Sequence, residues 1–166
     1  MPAPATDFTL ALSRVPSPVT VVTTTDATGR HWGFTASSFS SLSLDPPLIL
    51  VCPAKSAGSH RAFVTADRFM VNVLAADQAD IAARFARAGT DKFAGGEMVP
   101  CEFGLPGLPS AVARLACTRY DVLDGGDHSI LVGHVDATGV TARAPLVYHD
   151  RDFARPAPAK ELTAAL

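Results

Sequence analysis

The sequence of 166 residues predicts a mainly β domain, an antiparallel β-barrel decorated by about three short helices. Three observations lead to this fold class. Runs rich in β-branched residues recur along the chain, most of them are joined by tight turn signals, and stretches with helical periodicity are short and few. Strands joined in this way pair with their neighbours and do not form βαβ units, and roughly seven are expected. We place this domain in residues 1–154 and a loose, Ala- and Pro-rich tail in residues 155–166.

The N-terminal stretch predicts a short amphipathic helix over residues 6–15. Phe8, Leu12 and Val15 recur at i, i+4 and i+7, so the helix has one apolar face. Thr6 precedes them as an N-cap, and Pro16 ends the pattern.

The next elements form an antiparallel succession of strands. Val19–Thr25 is β-branched throughout, and the turn signal Asp26–Gly29 leads into a second strand near His31. After that strand the alternation of apolar and polar residues changes phase, which predicts a bulge or bend near Ser40. Two prolines then introduce a short buried strand, Leu48–Cys52.

The central part of the chain alternates between helical and extended patterns. Ser59–Thr65 is a brief helical candidate, and Arg68–Leu74 reads as a strand buried on most of both faces. Residues 89–109 hold five glycines and three prolines, which indicates a long surface connection of the kind that is often functional. Further strands are expected at Ala111–Leu123, Ser129–Val140 and Pro145–His149.

One helix is predicted between these segments, starting in residues 77–80. Ile81 and Phe85 share its inner face, and Asp80 and Arg84 have the i, i+4 spacing of an ion pair. Gly89 stands where a C-terminal stop belongs.

Charge and hydropathy exclude two classes of partner. The formal net charge is -2, and no run of Lys or Arg marks a nucleic-acid or anionic lipid surface. No window reaches the roughly 18 consecutive apolar residues of a membrane span, and no leader pattern opens the chain. Three scattered cysteines suit a reducing compartment, so a cytoplasmic location is expected.

Several kinds of catalytic site also lack support. The glycine motifs of a Rossmann site and of a P-loop are missing, and so is the G-x-S-x-G elbow of a serine hydrolase. His128 and His134 share a strand face but lie about 20 Å apart, too far to share a metal ion. No metal site is expected.

Hydroxyl residues crowd the approach to the Leu48–Cys52 strand. The group comprises Thr35, Ser37, Ser38, Ser40, Ser41 and Ser43. Such residues either decorate the wet face of a strand or donate hydrogen bonds to an anion such as phosphate. Ser56 and Ser59, at the start of a candidate helix, repeat the signal and favour the anion-binding reading.

Several ordered motifs resemble the flavin reductase components of two-component flavin-dependent monooxygenases, over about residues 8–153. They are Gly33–Phe39 (GFTASSF), Ser43–Pro47 (SLDPP), Phe69–Leu74 (FMVNVL) with Gln78, Arg84–Ala86 (RFA) with Asp91–Gly95 (DKFAG), and Gly126–His128 (GDH) with Gly133–Val135 (GHV). The resemblance implies an FMN-binding split barrel, a six- to seven-stranded Greek-key barrel that forms a homodimer with the flavin at the subunit interface. It also implies NADH or NADPH as hydride donor, FMN or FAD as acceptor, and a monooxygenase that receives the reduced flavin.

The resemblance assigns roles to individual residues. Thr35, Ala36, Ser37 and Ser38 would line the flavin ring and ribityl chain, Cys52 and Ala54 would flank the ring, Ser59 with His60 would hold the phosphate, and Lys92 and Phe93 would close over the flavin. His128 would contact the nicotinamide nucleotide and is the residue taken as catalytic. Taken alone, Cys52 also fits an inert core residue, Lys92 a solvated cation, and His128 a turn residue.

Two other functions stay open on the sequence. The same barrel suits a non-enzymatic flavin carrier or sensor, or a protein whose tightly bound flavin acts on its own organic substrate. The choices between FMN and FAD and between NADH and NADPH are equally open.

Overall fold

The computed structural model describes residues 2–157 and has a seven-stranded antiparallel sheet as its main element. In chain order the strands are β1 (Ser17–Pro18), β2 (Thr20–Thr25), β3 (His31–Ala36), β4 (Ser40–Leu44), β5 (Pro47–Val51), β6 (Arg68–Val73), β7 (Val99–Pro100), β8 (Pro106–Gly107), β9 (Ala113–Gly125), β10 (His128–Val140), β11 (Val147–His149) and β12 (Asp152–Ala154). The helices are α1 (Ala5–Ser13), α2 (His60–Thr65) and α3 (Ala79–Ala86), with a 3₁₀ turn at Glu102–Gly104. The predicted mainly β fold class with three short helices is confirmed.

The main sheet has the order β3-β2-β6-β9-β10-β5-β4, so its two edge strands follow one another in the chain. β9 and β10 form a long hairpin around Gly126, which has a φ of 79°. The remaining strands form two smaller sheets, β1-β11-β12 and β7-β8. The predicted strands are found within two residues of their expected limits.

The core lies on both faces of the central strands. On one face, Val22, Phe63 and Phe69 belong to a buried cluster. On the other face, Ile81 and Phe85 of α3 pack in a second buried cluster, as their spacing predicts. Each large side chain buried in this way contributes about 1.5–3 kcal/mol relative to exposure, so α3 is anchored to the sheet mainly by these two residues.

Three details of the helix predictions are wrong. In α1 the N-cap is Pro4, so Thr6 lies inside the helix, and no residue of the helix is buried. In α3 Arg84 pairs with Glu97 and not with Asp80, because the loop that follows folds back onto the helix. α3 also ends at Ala86, before the predicted stop.

The hydroxyl-rich segment contains the predicted irregularity, one to three residues after Ser40. β4 pairs with β5, and the register shifts between Ser41 and Ser43. Residues 89–109 contain the β7-β8 pair and the 3₁₀ turn, which the Gly- and Pro-rich composition concealed. Within residues 2–157, no helix is long and apolar enough to cross a membrane. Residues 155–157 have no regular structure, and the rest of the predicted tail lies outside the described residues.

Candidate functional site

A cavity of about 1080 Å³ opens beside the edge strand β3. Its walls are formed by β3 and the residues that follow it, by the loop after β5, by the segment after α3, and by the first residue of β10. Small-molecule sites usually have volumes of about 300–1,000 Å³, so this cavity has room for a large ligand or for two stacked ring systems.

The structure brings ten of the eleven candidate site residues together in the wall of this cavity. These are Thr35, Ala36, Ser37, Ser38, Cys52, Ala54, Ser59, Lys92, Phe93 and His128. The exception is His60, which does not line the cavity; its Nε2 lies 2.9 Å from Ser129 Oγ on β10. The prediction that His60 contacts a phosphate is therefore not supported by its position.

The hydroxyl groups at the end of β3 have different roles. Thr35 Oγ1 donates to the carbonyl oxygen of Ala82 at 2.6 Å, so its proton is committed to α3. Ser38 Oγ accepts the Cys52 N–H at 3.0 Å and keeps its own proton for another acceptor. Ser37 is exposed. Ser37 and Ser38 are the donors that this edge offers to a ligand.

The loop after β5 is fixed by backbone hydrogen bonds to the β9-β10 turn. Lys55 N–H donates to Asp127 O at 2.9 Å, and Ser129 N–H donates to Pro53 O at 3.0 Å. A β-bridge joins Ala54 to His128 between these two bonds. The loop and the turn therefore form one rigid wall of the cavity.

His128 lies on this wall and lines the cavity. Its Nδ1 lies 2.7 Å from Asp127 Oδ1, and its side chain is 42% exposed. The hydrogen bond from His128 lowers the pKa of the Asp127 carboxyl below its ordinary value. A carboxylate beside Nδ1 orients the imidazole and leaves Nε2 for a ligand.

The loop after α3 enters the cavity through Lys92 and Phe93. The Lys92 ammonium donates to Gly33 O at 2.9 Å and to Phe85 O at 2.7 Å, and burial lowers its pKa. The Phe93 ring packs edge-on against Phe85 with a centroid distance of 5.2 Å. Lys92 thus ties the loop to both β3 and α3, a structural task that the sequence did not reveal.

Sequence reasoning missed a second group of cavity residues at the start of β3. Arg30 lies 4.1 Å above the ring of Trp32, and both line the cavity. Trp32 Nε1 donates to Asp26 Oδ2 at 2.7 Å. Two side-chain hydrogen bonds, the larger contribution from Thr28 and the next from Trp32, hold the pKa of Asp26 far below its usual range. The available signal was the single Trp of the sequence, two positions after Arg30 and just before the hydroxyl cluster.

The electrostatics of the cavity favour an anionic ligand. Among the described residues that line it, Arg30, Arg87 and Lys92 carry positive charge, and Asp91 is the one carboxylate. No cluster of three His, Cys, Asp or Glu side chains within residues 2–157 has the geometry of a metal site. Small residues, positioned hydroxyl donors and excess positive charge fit a flat ring system that carries a phosphate.

The family comparison agrees with this geometry. Residues 12–157 match the model of the flavin reductase like domain. Among curated relatives, the actinorhodin polyketide dimerase of Streptomyces coelicolor is 48% identical over 87% of this chain and 82% of its own length. The NADH:riboflavin 5'-phosphate oxidoreductase of Streptomyces pristinaespiralis is 45% identical over 91% of this chain and 88% of its own length.

Solved structures with the same fold include flavin reductases. The NADH:FAD oxidoreductase SgcE6 of Streptomyces globisporus, in complex with NAD and FAD fragments, superposes with a TM-score of 0.87 at 35% identity, covering 93% of each chain. A nitrilotriacetate monooxygenase component B homologue from Mycobacterium thermoresistibile has a TM-score of 0.87 at 36% identity, over 93% of this chain and 88% of that one. A family match over most of the chain, two relatives above 40% identity and the shared barrel lead to one conclusion: the chain belongs to the flavin reductase like family, with the split-barrel fold of flavin reductases.

Proposed function

We propose that this protein is an NAD(P)H-dependent flavin reductase that supplies reduced flavin to a partner monooxygenase. The observation that carries the proposal is the grouping of ten candidate residues in one positively charged cavity large enough for two stacked rings. When bound, the flavin supplies the redox chemistry by accepting a hydride from the reduced nicotinamide.

The protein's own contribution is positioning. Transfer between two stacked rings needs close, aligned contact and exclusion of water more than it needs an acid–base pair. The Ala54 loop with His128, and β3 with the Phe93 loop, line the same cavity, and the ligands bind between these two groups of residues. His128, oriented by Asp127, contacts the nicotinamide nucleotide.

The flavin is held by groups from both walls. Ser37 and Ser38 donate hydrogen bonds to the flavin ring or ribityl chain, and Ser59 donates to the phosphate. Ala36, Cys52 and Ala54 allow the ring to approach the backbone because their side chains are small. Lys92 places Phe93 over the site through its bonds to β3 and α3.

FMN is the favoured flavin and NADH the favoured donor. Support comes from the 45% identical relative, which is named for NADH and riboflavin 5'-phosphate. Isothermal titration with FMN and FAD measures the first preference, and initial rates with NADH and NADPH measure the second. A tenfold preference for FAD or NADPH would contradict this part of the proposal.

Reduced flavin that leaves the site needs an acceptor, and we infer that a partner monooxygenase takes it up. A structural relative is named as a monooxygenase component, which supports this role. A cytoplasmic location fits the three free cysteines.

We also infer a homodimer. Phe8 and Leu12 of α1 are 59% and 54% exposed, and Val15, just after the helix, is 55% exposed. Large apolar side chains exposed this close together in the chain favour a protein interface. Light scattering after size exclusion should give twice the chain mass of 17.3 kDa; a monomer at micromolar concentration would contradict the inference.

The decisive experiment is an absorbance assay of NADH oxidation with the purified protein and added FMN. Oxidation well above the free-flavin rate is expected. A protein that binds FMN tightly but never accelerates oxidation would instead be a flavin carrier or sensor. His128→Ala should lower the rate while the affinity for FMN stays unchanged.

A second candidate comes from the 48% identical relative, which is named as a polyketide dimerase. In that case the flavin stays bound and acts on an organic substrate of the protein itself. Rapid dilution after FMN loading separates the two functions, because a reductase of dissociable flavin loses its FMN on dilution.

A further inference from the structure

One side-chain pair lies directly behind the cavity wall. His60 Nε2 and Ser129 Oγ are 2.9 Å apart, and Ser129 is only 6% exposed. His60 is the first residue of α2, and Ser129 is the second residue of β10. The pair therefore joins a short helix to the sheet through a partly buried hydrogen bond.

The sequence neighbours of this pair are both cavity residues. Ser59 precedes His60, and His128 precedes Ser129. The backbone ties the same loop elsewhere, since His60 N–H donates to Ala57 O at 2.9 Å. The side-chain bond is the connection that fixes the far end of the loop, next to Ser59, to β10.

Within residues 2–157, no acceptor is found for the Ser59 hydroxyl group. Ser59 is 8% exposed, it lines the cavity, and its side chain makes no capping hydrogen bond. A nine-tenths buried hydroxyl that opens to a cavity with excess positive charge is suited to an anionic oxygen.

We propose that the hydrogen bond between His60 and Ser129 is a positioning pair that holds Ser59 against the phosphate of the bound flavin nucleotide. The proposal rests on the proposed function, because it presumes that a flavin occupies the cavity. His60 is then a positioning residue for the phosphate end, and its contribution is selectivity for phosphorylated flavin over riboflavin.

The test compares the binding of FMN and riboflavin to full-length protein, by quenching of flavin fluorescence. His60→Ala and Ser129→Ala should each weaken FMN binding about fivefold, the usual value of one net hydrogen bond, and leave riboflavin binding unchanged. His60→Gln places an amide nitrogen near the lost Nε2 and should restore most of the FMN affinity. The double variant should weaken binding no more than either single variant, because both remove the same bond.

His134→Ala is the matched control, since this histidine lies on the same strand and pairs with Asp136 outside the cavity. It should change neither affinity. Equal weakening of FMN and riboflavin by His60→Ala and Ser129→Ala, or no weakening, would overturn the proposal and leave the reductase function intact. If the wild-type protein binds neither flavin, the proposed function fails, and the inference fails with it. Should His60→Ala not fold, Ser129→Ala alone decides, because it removes a single oxygen.

Discussion

Gly33→Ala should disturb the contact between β3 and α3 that supports the cavity. A Cβ at Gly33 would lie 2.5 Å from a ring carbon of Phe85, whereas ordinary contact begins at 3.4 Å, so the ring must withdraw by about 0.9 Å. Phe85 is fully buried and packs against Phe93 of the cavity loop, so it cannot move without moving α3 or the loop. We expect a loss of roughly 2 kcal/mol of stability, which lowers the melting temperature by roughly 4–8 °C, together with weaker FMN binding.

Thermal unfolding followed by circular dichroism measures this effect. Gly58→Ala is the stability control, because a Cβ there meets nothing within 4 Å. Phe85→Leu removes the ring, so Gly33→Ala should cost clearly less in that background. A wild-type melting temperature for Gly33→Ala, or equal costs in both backgrounds, would refute the reasoning.

Three further predictions concern charged and thiol groups. Lys92→Met should lower the free energy of urea unfolding by about 1.5 kcal/mol and weaken FMN binding, because two carbonyl groups lose their donor. The control Lys55→Met removes only a surface ion pair and should lower the free energy of unfolding by less than about 0.5 kcal/mol. Asp26 has a depressed pKa in the folded state, so its ionised carboxylate stabilises the fold at neutral pH, and this stabilisation is lost progressively as the pH falls below the ordinary carboxyl pKa of about 4. The melting temperature should therefore fall less steeply below about pH 4 in Asp26→Asn than in the wild type. Burial raises the pKa of Cys117 to about 12, so peptide mapping after iodoacetamide treatment should find Cys52 modified in the native protein, less so with FMN present, and Cys117 only after unfolding. Equal labelling of both cysteines in the native state would contradict this last expectation.

The strands could be predicted because their patterns are local. Alternation in Arg68–Val73 and the turn around Gly126 depend on a few consecutive residues, and both are found where expected. The ion pair between Arg84 and Glu97 could not be predicted from local patterns. Its partner Glu97 lies thirteen positions along the chain, and a partly buried pairing replaces the exposed i, i+4 contact with Asp80.

The candidate site could be predicted as a set of positions but not as a set of roles. The sequence does not show that Thr35 gives its proton to α3 or that Lys92 bonds two carbonyls, since both depend on packing across the sheet. His60 illustrates the same limit. Consecutive residues at a helix start point in different directions, so a cavity-facing Ser59 turns His60 towards Ser129.

The order of the sheet has a consequence for how the barrel and its ligand depend on each other. β3 and β4 are the two edges, and residues 37–39 with the Ser38–Cys52 hydrogen bond span the gap between them, at the cavity itself. A ligand bound there stabilises the closed arrangement by RT ln(1 + [L]/Kd), and its departure should speed amide exchange first in the two edge strands. Ligand binding and the local stability of the barrel edge are therefore linked. The free energy that couples them can be measured either as a change in affinity or as a change in amide exchange.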